Sequence, residues 1–294
     1  MSSILTYQHG VNPKNQVYWQ KLPDGRVQCD LCPRSCQLKE GQRGACFARG
    51  NRDGEVVLLN YGRSSGFCID PIEKKPLNHF YPGTSVLSFG TAGCNLACKF
   101  CQNWDIRAAG ILAVAVTAGY MNPEPRREFF SHMDAANVDL KAFTDRFYHR
   151  ICAGRLAPVL DTLEYLHHET NVWFEITNLL IPGENDSDRE IEQMAAWIAT
   201  HLSCDVPIHY TAFHPDYRMR SITPTSAETL TRARRIALNS GLRFVYTGNV
   251  HDITGGSTYC PACDHAVIER DWYQLGDWHL DQNGCCDGCG AKIP

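Results

Sequence analysis

The sequence lacks any apolar run approaching the roughly 18 residues of a membrane span. Its first residues, MSSILTYQHGVNPKNQ, have no basic stretch followed by a long apolar core. No membrane span and no signal peptide are expected. There is no excess of one charge either. The chain has 28 Lys and Arg against 32 Asp and Glu, a net charge of −4, which argues against a nucleic-acid-binding surface or an acidic tail. The marks of a secreted disulfide framework are also missing. A chain of 294 residues is large for one, and C-x2-C spacings suit wrapping one metal centre better than bridging distant segments. A reducing cytoplasm is the expected compartment.

Cysteine is what the sequence has in excess. There are fifteen, against an ordinary apolar fraction of 44%. Cys29, Cys32, Cys36 and Cys46 form one group, Cys94, Cys98 and Cys101 a second, and Cys260, Cys263, Cys285, Cys286 and Cys289 a third. Cys68, Cys152 and Cys204 read as buried free thiols. Cys260, Cys263, Cys286 and Cys289 are paired C-x2-C knuckles in a ribbon-like segment, a zinc-ribbon pattern. Cys285 reads as the spare, although it could trade places with Cys286. Four ligands at Cys29, Cys32, Cys36 and Cys46 fit zinc or an auxiliary iron–sulfur cluster.

The texture of the chain changes twice. Residues 1–84 have little periodicity beyond a hairpin-like GEVVLLNYG. From 85 to 256 strands and helices alternate. Strands are expected at 85–91, 111–117, within 135–143, and at 171–181, 207–213 and 242–248. Leu156, Val159, Leu160, Leu163 and Leu166 make a helical stripe. Capping boxes are expected at Ser187 with Glu190 and at Thr225 with Glu228, and Gly241 ends the second of those helices. Alternation of this kind argues a parallel α/β sheet or barrel. Polar residues cluster after the strands, at the carboxyl edge where such folds bind ligands. Residues 257–294 are cysteine-rich and loop-rich again.

The stretch GCNLACKFCQNW brings three thiols together as C-x3-C-x2-C on a loop after the first of these strands. Three thiolates can hold three irons of a [4Fe–4S] cluster and leave the fourth iron open to a substrate or cofactor. The competing readings are structural zinc, which wants four ligands, and three buried free cysteines.

With Phe100 before the last cysteine, this stretch resembles the radical SAM enzymes. In that family the open iron binds the amino and carboxylate groups of S-adenosylmethionine. An electron from the cluster breaks a carbon–sulfur bond, and the resulting 5′-deoxyadenosyl radical abstracts hydrogen. CDLCPRSCQLKEGQRGACFAR, YMNPEP, DAANVDLKAF, LLIPGENDSD, AFHPDYRM and YTGNV narrow the resemblance to the AmmeMemoRadiSam-system radical SAM proteins, which are similar to pyruvate formate-lyase activating enzymes. The activating enzymes generate a glycyl radical on a partner protein. The resemblance implies Memo-like and AMME-type proteins as partners, together with an electron donor, and leaves the substrate open. It also implies that Asp139 and Lys141, matching an Asp-Leu-Lys element beside the methionine group, and His214 contribute to the cofactor site. Asp139 and Lys141 alternate to one side of a strand.

The chain departs from that pattern at one place. A βαβ crossover needs at least about 10–12 residues. After Cys101 only Gln102 to Gly110 precede the next strand, and relatives have a helix, a strand and a second helix there. The expected fold is therefore α/β, a partial (β/α) radical SAM barrel one unit short, flanked by small cysteine-rich segments. Either two strands pair across the gap or an edge is left unpaired. Two functions follow: reductive cleavage of S-adenosylmethionine for hydrogen abstraction, or a catalytically impaired iron–sulfur and zinc-binding scaffold.

Overall fold

A computed structural model describes residues 18–59, 66–90 and 114–294. Its centre is a five-stranded parallel sheet in the order β12-β11-β10-β9-β8, formed by β8 (Val114–Thr117), β9 (Ala135–Asp139), β10 (Trp173–Leu180), β11 (Ile208–Ala212) and β12 (Val245–Gly248). Strands adjacent in sequence are neighbours in space. The connections carry α1 (Pro123–Phe130), the short α2 (Asp145–Phe147), α3 (Ala157–Glu169), α4 (Asp188–His201) and α5 (Ala227–Asn239), and a further short helix, α6 (Ile253–Gly256), follows the last strand.

Register gives the sheet two unlike faces. Val138, Ile176, Ile208 and Val245 form one row across β9 to β12. This row is buried with Val159 and Leu163 of α3, Met194 and Ile198 of α4, and Leu230 and Ala233 of α5. One residue on, Asp139, Thr177, His209 and Tyr246 form the next row, and the period of two turns it to the opposite face. That face is polar.

Ser187 caps α4 as expected, accepting from the Glu190 N–H, but the Glu190 carboxylate does not complete the box. It accepts instead from the Phe143 N–H at 2.7 Å and so braces the loop after β9. The cap of α5 is Ser226, not Thr225. The Thr225 hydroxyl is committed elsewhere, accepting from the Phe213 N–H at 3.1 Å and donating to the Leu180 carbonyl at 2.6 Å, which ties the carboxyl ends of β10 and β11 together.

The strand expected to open the parallel sheet does something different. β7 (Ser85–Gly90) pairs antiparallel with β6 (Gly66–Pro71) and belongs to no part of the five-stranded sheet. Val86 packs with Ile72, Leu77, Ala135 and Val114 at the amino ends of β8 and β9. The partner of β7 is the strand before it in the chain, joined through residues 72–84. Among the described residues β8 is thus an edge strand with β9 as its one neighbour. Phe67, Ile69 and Leu87 of the β6–β7 hairpin face solvent.

Ahead of the hairpin lie β1 (Trp19–Lys21), β2 (Val27–Cys29) and β3 (Gln37–Leu38), which form a small sheet, and the pair β4 (Arg49–Arg52) and β5 (Glu55–Leu58). Asp53 and Gly54 join β4 to β5 with φ of 55° and 71°, the conformation that a two-residue hairpin turn demands and that an Asp-Gly pair supplies. The chain finishes in a three-stranded antiparallel sheet of β13 (Thr258–Tyr259), β14 (Ala266–Asp271) and β15 (Gln274–Trp278). No helix among the described residues is long and apolar enough to cross a membrane.

Candidate functional site

The carboxyl edge of the parallel sheet brings together Asp139, the last residue of β9, and Lys141 just beyond it. Lys141 Nζ lies 2.7 Å from Asp139 Oδ2, and both side chains are partly buried. Their loop is fixed from behind. Asn178 donates to the Leu140 carbonyl at 2.7 Å, and the Lys141 N–H donates to the Tyr148 hydroxyl at 3.0 Å. Asn185, in the PGEND turn after β10, donates to the Lys141 carbonyl at 2.8 Å while accepting from the Ile181 N–H at 2.7 Å. That turn therefore holds the neighbouring loop as well as reversing its own chain.

Beside Asp139 in register is Thr177, whose hydroxyl is buried without a hydrogen-bond partner. A buried hydroxyl seldom goes unpaired without a ligand or water to meet it. His214 follows β11 on the same edge and is exposed. With strands spaced about 4.8 Å apart, it lies two strands from Asp139, about 10 Å along the edge. Cys94, Cys98 and Cys101, and the gap after them, lie outside the described residues.

Deeper on the polar face is a group that sequence reasoning did not single out. Glu175 is fully buried and accepts from the Asn78 and His79 N–H groups at 2.9 and 2.8 Å, from His209 Nε2 at 2.7 Å and from the Trp173 indole at 3.1 Å. Burial pushes its carboxyl up, but the His209 hydrogen bond, the charges of His209 and His79, and the His79 N–H outweigh it and hold the pKa at about 2. Burial lowers the pKa of His79. Its ring bridges the Tyr246 hydroxyl at 2.7 Å and the Pro294 carbonyl at 3.0 Å. Arg270 of β14, 1% exposed, donates to Thr258 Oγ1 and to the Asn78 carbonyl, each at 2.7 Å. This network joins three chain segments under the sheet. The signal for it was alternation: Glu175 and His209 recur at polar-face positions within apolar strands.

The carboxyl-terminal thiols converge. Cys260, Cys263, Cys286 and Cys289 have sulfurs all within 4.8 Å of one another, an arrangement that could hold a metal ion. Cys260–Cys289 and Cys263–Cys286 are separated by 3.6 and 3.7 Å. A tetrahedral ion with metal–sulfur bonds of about 2.3 Å spaces its sulfurs about 3.8 Å apart. Two matching turns present them. Asp264 donates to the Cys260 carbonyl at 2.9 Å and Gly290 to that of Cys286 at 2.7 Å, with φ of 59° and 76°. Glycine takes that conformation freely; Asp264 takes it at a cost. Burial pushes the Cys260 thiol up, yet N–H groups of Ala262 and Cys263 and the neighbouring thiols bring it down overall, while the thiols of Cys263 and Cys289 are raised by their neighbours in turn. Cys285 is outside the four. Beside them, interleaved in sequence, His265, His279 and Asp287 form a second group with ligating atoms within 4.8 Å. Counting cysteines alone passes over it.

The amino-terminal thiols are arranged otherwise. Cys29, Cys32, Cys36 and Cys46 line one cavity of about 270 Å³, but no three of them bring sulfurs within 4.8 Å of one another. Burial raises the Cys29 and Cys32 thiols, and their cysteine neighbours push the same way. Asn122 anchors this unit to the sheet by donating to the Asp30 carbonyl at 2.6 Å from its side chain and to the Leu31 carbonyl at 3.2 Å from its backbone. Of the three single cysteines, Cys152 is buried, Cys204 is partly exposed, and Cys68 is exposed rather than buried, lying 3.2 Å from Asp70.

No family model matches the chain. A relative in Methanocaldococcus jannaschii, the uncharacterized protein MJ0808, is 35% identical over 332 residues, covering 95% of this chain and 98% of the relative. That aligned span exceeds the 294 residues of this chain, so the relative carries residues with no counterpart here. Partial likenesses among solved structures include a domain of a pyruvate-formate lyase-activating enzyme from Bacteroides vulgatus, with a TM-score of 0.41 and 20% identity over 48% of this chain and 83% of that one. A radical SAM methyltransferase from Sphaerobacter thermophilus gives 0.39 and 18%, over 49% of this chain and 42% of that one. TYW1 with a lysine-pyruvate adduct bound gives 0.34 and 16%, over 44% and 41%.

Proposed function

This chain belongs to the family of the Methanocaldococcus jannaschii protein MJ0808, and from that premise we propose that it is a radical SAM protein of the AmmeMemoRadiSam type. In this reading Cys94, Cys98 and Cys101 ligate a [4Fe–4S] cluster, and S-adenosylmethionine occupies the carboxyl edge of a partial barrel. The observation that carries it is the Asp139–Lys141 pair beside the orphaned Thr177 hydroxyl, at the edge where parallel sheets bind ligands. The donor set suits a zwitterion. Lys141 offers an ammonium to a carboxylate, Asp139 a carboxylate to an ammonium or cation, and Thr177 a hydroxyl to either. When bound, the cluster and S-adenosylmethionine supply the electron and the radical precursor.

The chain's own residues position and shield. Tyr148, Asn178 and Asn185 hold the Asp139–Lys141 loop, so ligand binding costs little reordering there. The helices on the opposite face seal the sheet from behind. His214, farther along the edge, is assigned to the nucleoside side of the same ligand. At the carboxyl end, Cys260, Cys263, Cys286 and Cys289 are assigned to a zinc ribbon, because their sulfur spacing suits the about 2.3 Å Zn–S bond. The cytoplasm, an electron donor, and Memo-like and AMME-type partners complete the reading.

A second reading is favoured by one observation. β8 has no described neighbour on its outer side, and the relative carries residues that this chain lacks. A unit absent at that place leaves the ligand edge open to water, where electrostatic contacts weaken and a radical is unprotected. The chain is then a cluster- and zinc-binding scaffold with little turnover. Anaerobic reconstitution followed by dithionite and S-adenosylmethionine separates the two. The expected result is a change in the cluster's electron paramagnetic resonance on adding S-adenosylmethionine, with little 5′-deoxyadenosine. The yield should rise tenfold or more in a chimera that carries the residues which the relative has and this chain lacks. Equal yields from both chains would remove the scaffold reading. No spectral response in either chain would overturn the radical SAM assignment.

A further inference from the structure

The two outer cysteine groups differ in one measurable way, and the difference identifies what the amino-terminal group binds. A single zinc ion draws its four sulfurs to about 3.8 Å, the spacing approached at the carboxyl-terminal site, where two pairs stand at 3.6 and 3.7 Å. Cys29, Cys32, Cys36 and Cys46 fail that test, since no three sulfurs fall within 4.8 Å of one another. They nevertheless line one cavity of about 270 Å³. A cubane places each thiolate on its own iron, which keeps the four sulfurs about 6 Å apart around a volume that a single ion would leave empty.

The walls of the cavity suit that occupant. Leu31, Leu38, Met121 and Phe129 are apolar and hold water off. Arg34 and Arg49 line the same space and offset the negative charge of a cluster carrying four thiolates. The protein holds the cavity ready. Cys29 and Cys36 face one another across a hairpin, with the Cys29 N–H donating to the Cys36 carbonyl at 2.9 Å, and Asn122 fastens the Asp30–Leu31 turn to the start of α1.

We infer that Cys29, Cys32, Cys36 and Cys46 hold a [4Fe–4S] cluster whose four irons are all ligated by protein thiolates. Thr117 and Tyr120, at and just beyond the carboxyl end of β8, line the same cavity, so this cluster lies beside the ligand edge of the sheet. The inference stands apart from the radical SAM reading, because none of its four ligands belongs to the Cys94–Cys101 triplet.

The test is anaerobic reconstitution of the full chain with iron and sulfide, followed by iron, sulfide and zinc analysis and Mössbauer spectroscopy. In a C94A/C98A/C101A variant about four irons per chain should remain, with the quadrupole doublet of a diamagnetic [4Fe–4S] cluster. Adding C29S and C36S should bring iron to background while zinc stays at its unaltered level, which shows that the carboxyl-terminal segment is still folded. Should the triple variant not fold, C29S/C36S in the otherwise native chain should halve the iron, from about eight to about four. A second zinc without iron, a [2Fe–2S] spectrum, or iron content indifferent to C29S/C36S would overturn the inference. Iron lost in C29S/C36S but unaffected in the triple variant would uphold it and sink the triplet assignment instead.

Discussion

The floor and the carboxyl edge of the sheet's polar face are made of the same kinds of side chain. At the floor, Glu175 is buried and hydrogen-bonded by four donors from four different residues, and Arg270 and His79 are locked onto backbone carbonyls. At the edge, Asp139 and Lys141 have each other at 2.7 Å, retain side-chain exposures of 26% and 15%, and adjoin a hydroxyl with no partner. A buried carboxylate with every lone pair engaged has nothing left for a ligand, so its role is to hold segments together. A partly exposed charged pair beside an unpartnered hydroxyl is a place that a ligand can complete.

The largest effect expected on this comparison comes from the metal proposed for Cys260, Cys263, Cys286 and Cys289, whose segment closes the floor from outside. Arg270 reaches the floor from β14, between the two cysteine knuckles. Structural zinc contributes on the order of 10 kcal/mol to segments with little core of their own. A chelator that strips it should expose residues 257–294 to protease and lower the melting temperature of the whole chain. Protease resistance unchanged after zinc removal would show that the floor does not depend on the ribbon.

A smaller effect belongs to Glu175. Its folded pKa of about 2 lies below its ordinary 4.5. A depressed carboxylate contributes stability above the unfolded value and loses it as pH falls from about 4.5 through about 2. Acid unfolding followed by circular dichroism should show this limb. Glu175→Gln should flatten it and cost about 3 kcal/mol, because His209 then lies buried beside a neutral amide. Affinity for S-adenosylmethionine should be unchanged, and a loss of affinity without loss of stability would place Glu175 in the ligand site.

The smallest change in stability is expected at the edge. Asp139→Asn should cost less than about 1 kcal/mol, as for other partly exposed pairs, yet weaken S-adenosylmethionine binding tenfold or more, read by equilibrium dialysis on the reconstituted chain. A variant as unstable as Glu175→Gln with native affinity would make the pair structural.

Much of this contrast was legible in the sequence. Apolar runs, a helical stripe and the capping residues located β9 to β12 and the longer helices between them, because buried strands and amphipathic helices write themselves locally. Asp139 and Lys141 were legible by another route, through the resemblance of VDLKAF to the Asp-Leu-Lys element of the activating enzymes. The floor was not. Alternation puts Glu175 and His209 on the polar face, but their partners Asn78 and Arg270 are far away in the chain, and no local spacing announces that packing closes a network there. Thr225 misled because two adjacent hydroxyls precede α5, and only the fold shows that one of them is needed at the end of β10. The 85–91 segment had the right composition for a sheet strand, but composition does not name a strand's partner, and residues 85–90 pair antiparallel with β6.

The hairpin that results has a colloidal consequence. Phe67 and Ile69, 68% and 75% exposed, lie on one strand, with Leu87 directly opposite Ile69 on the other. Among the described residues this ribbon has two strands and an oily strip, which is a template for pairing with its own kind. Concentration sets how often two such strips meet, so the soluble lifetime of a preparation shortens as it is made denser, even while every molecule in it stays folded. A lysine in place of Ile69, at the centre of the strip, introduces the charge with which natural sheet edges keep their distance.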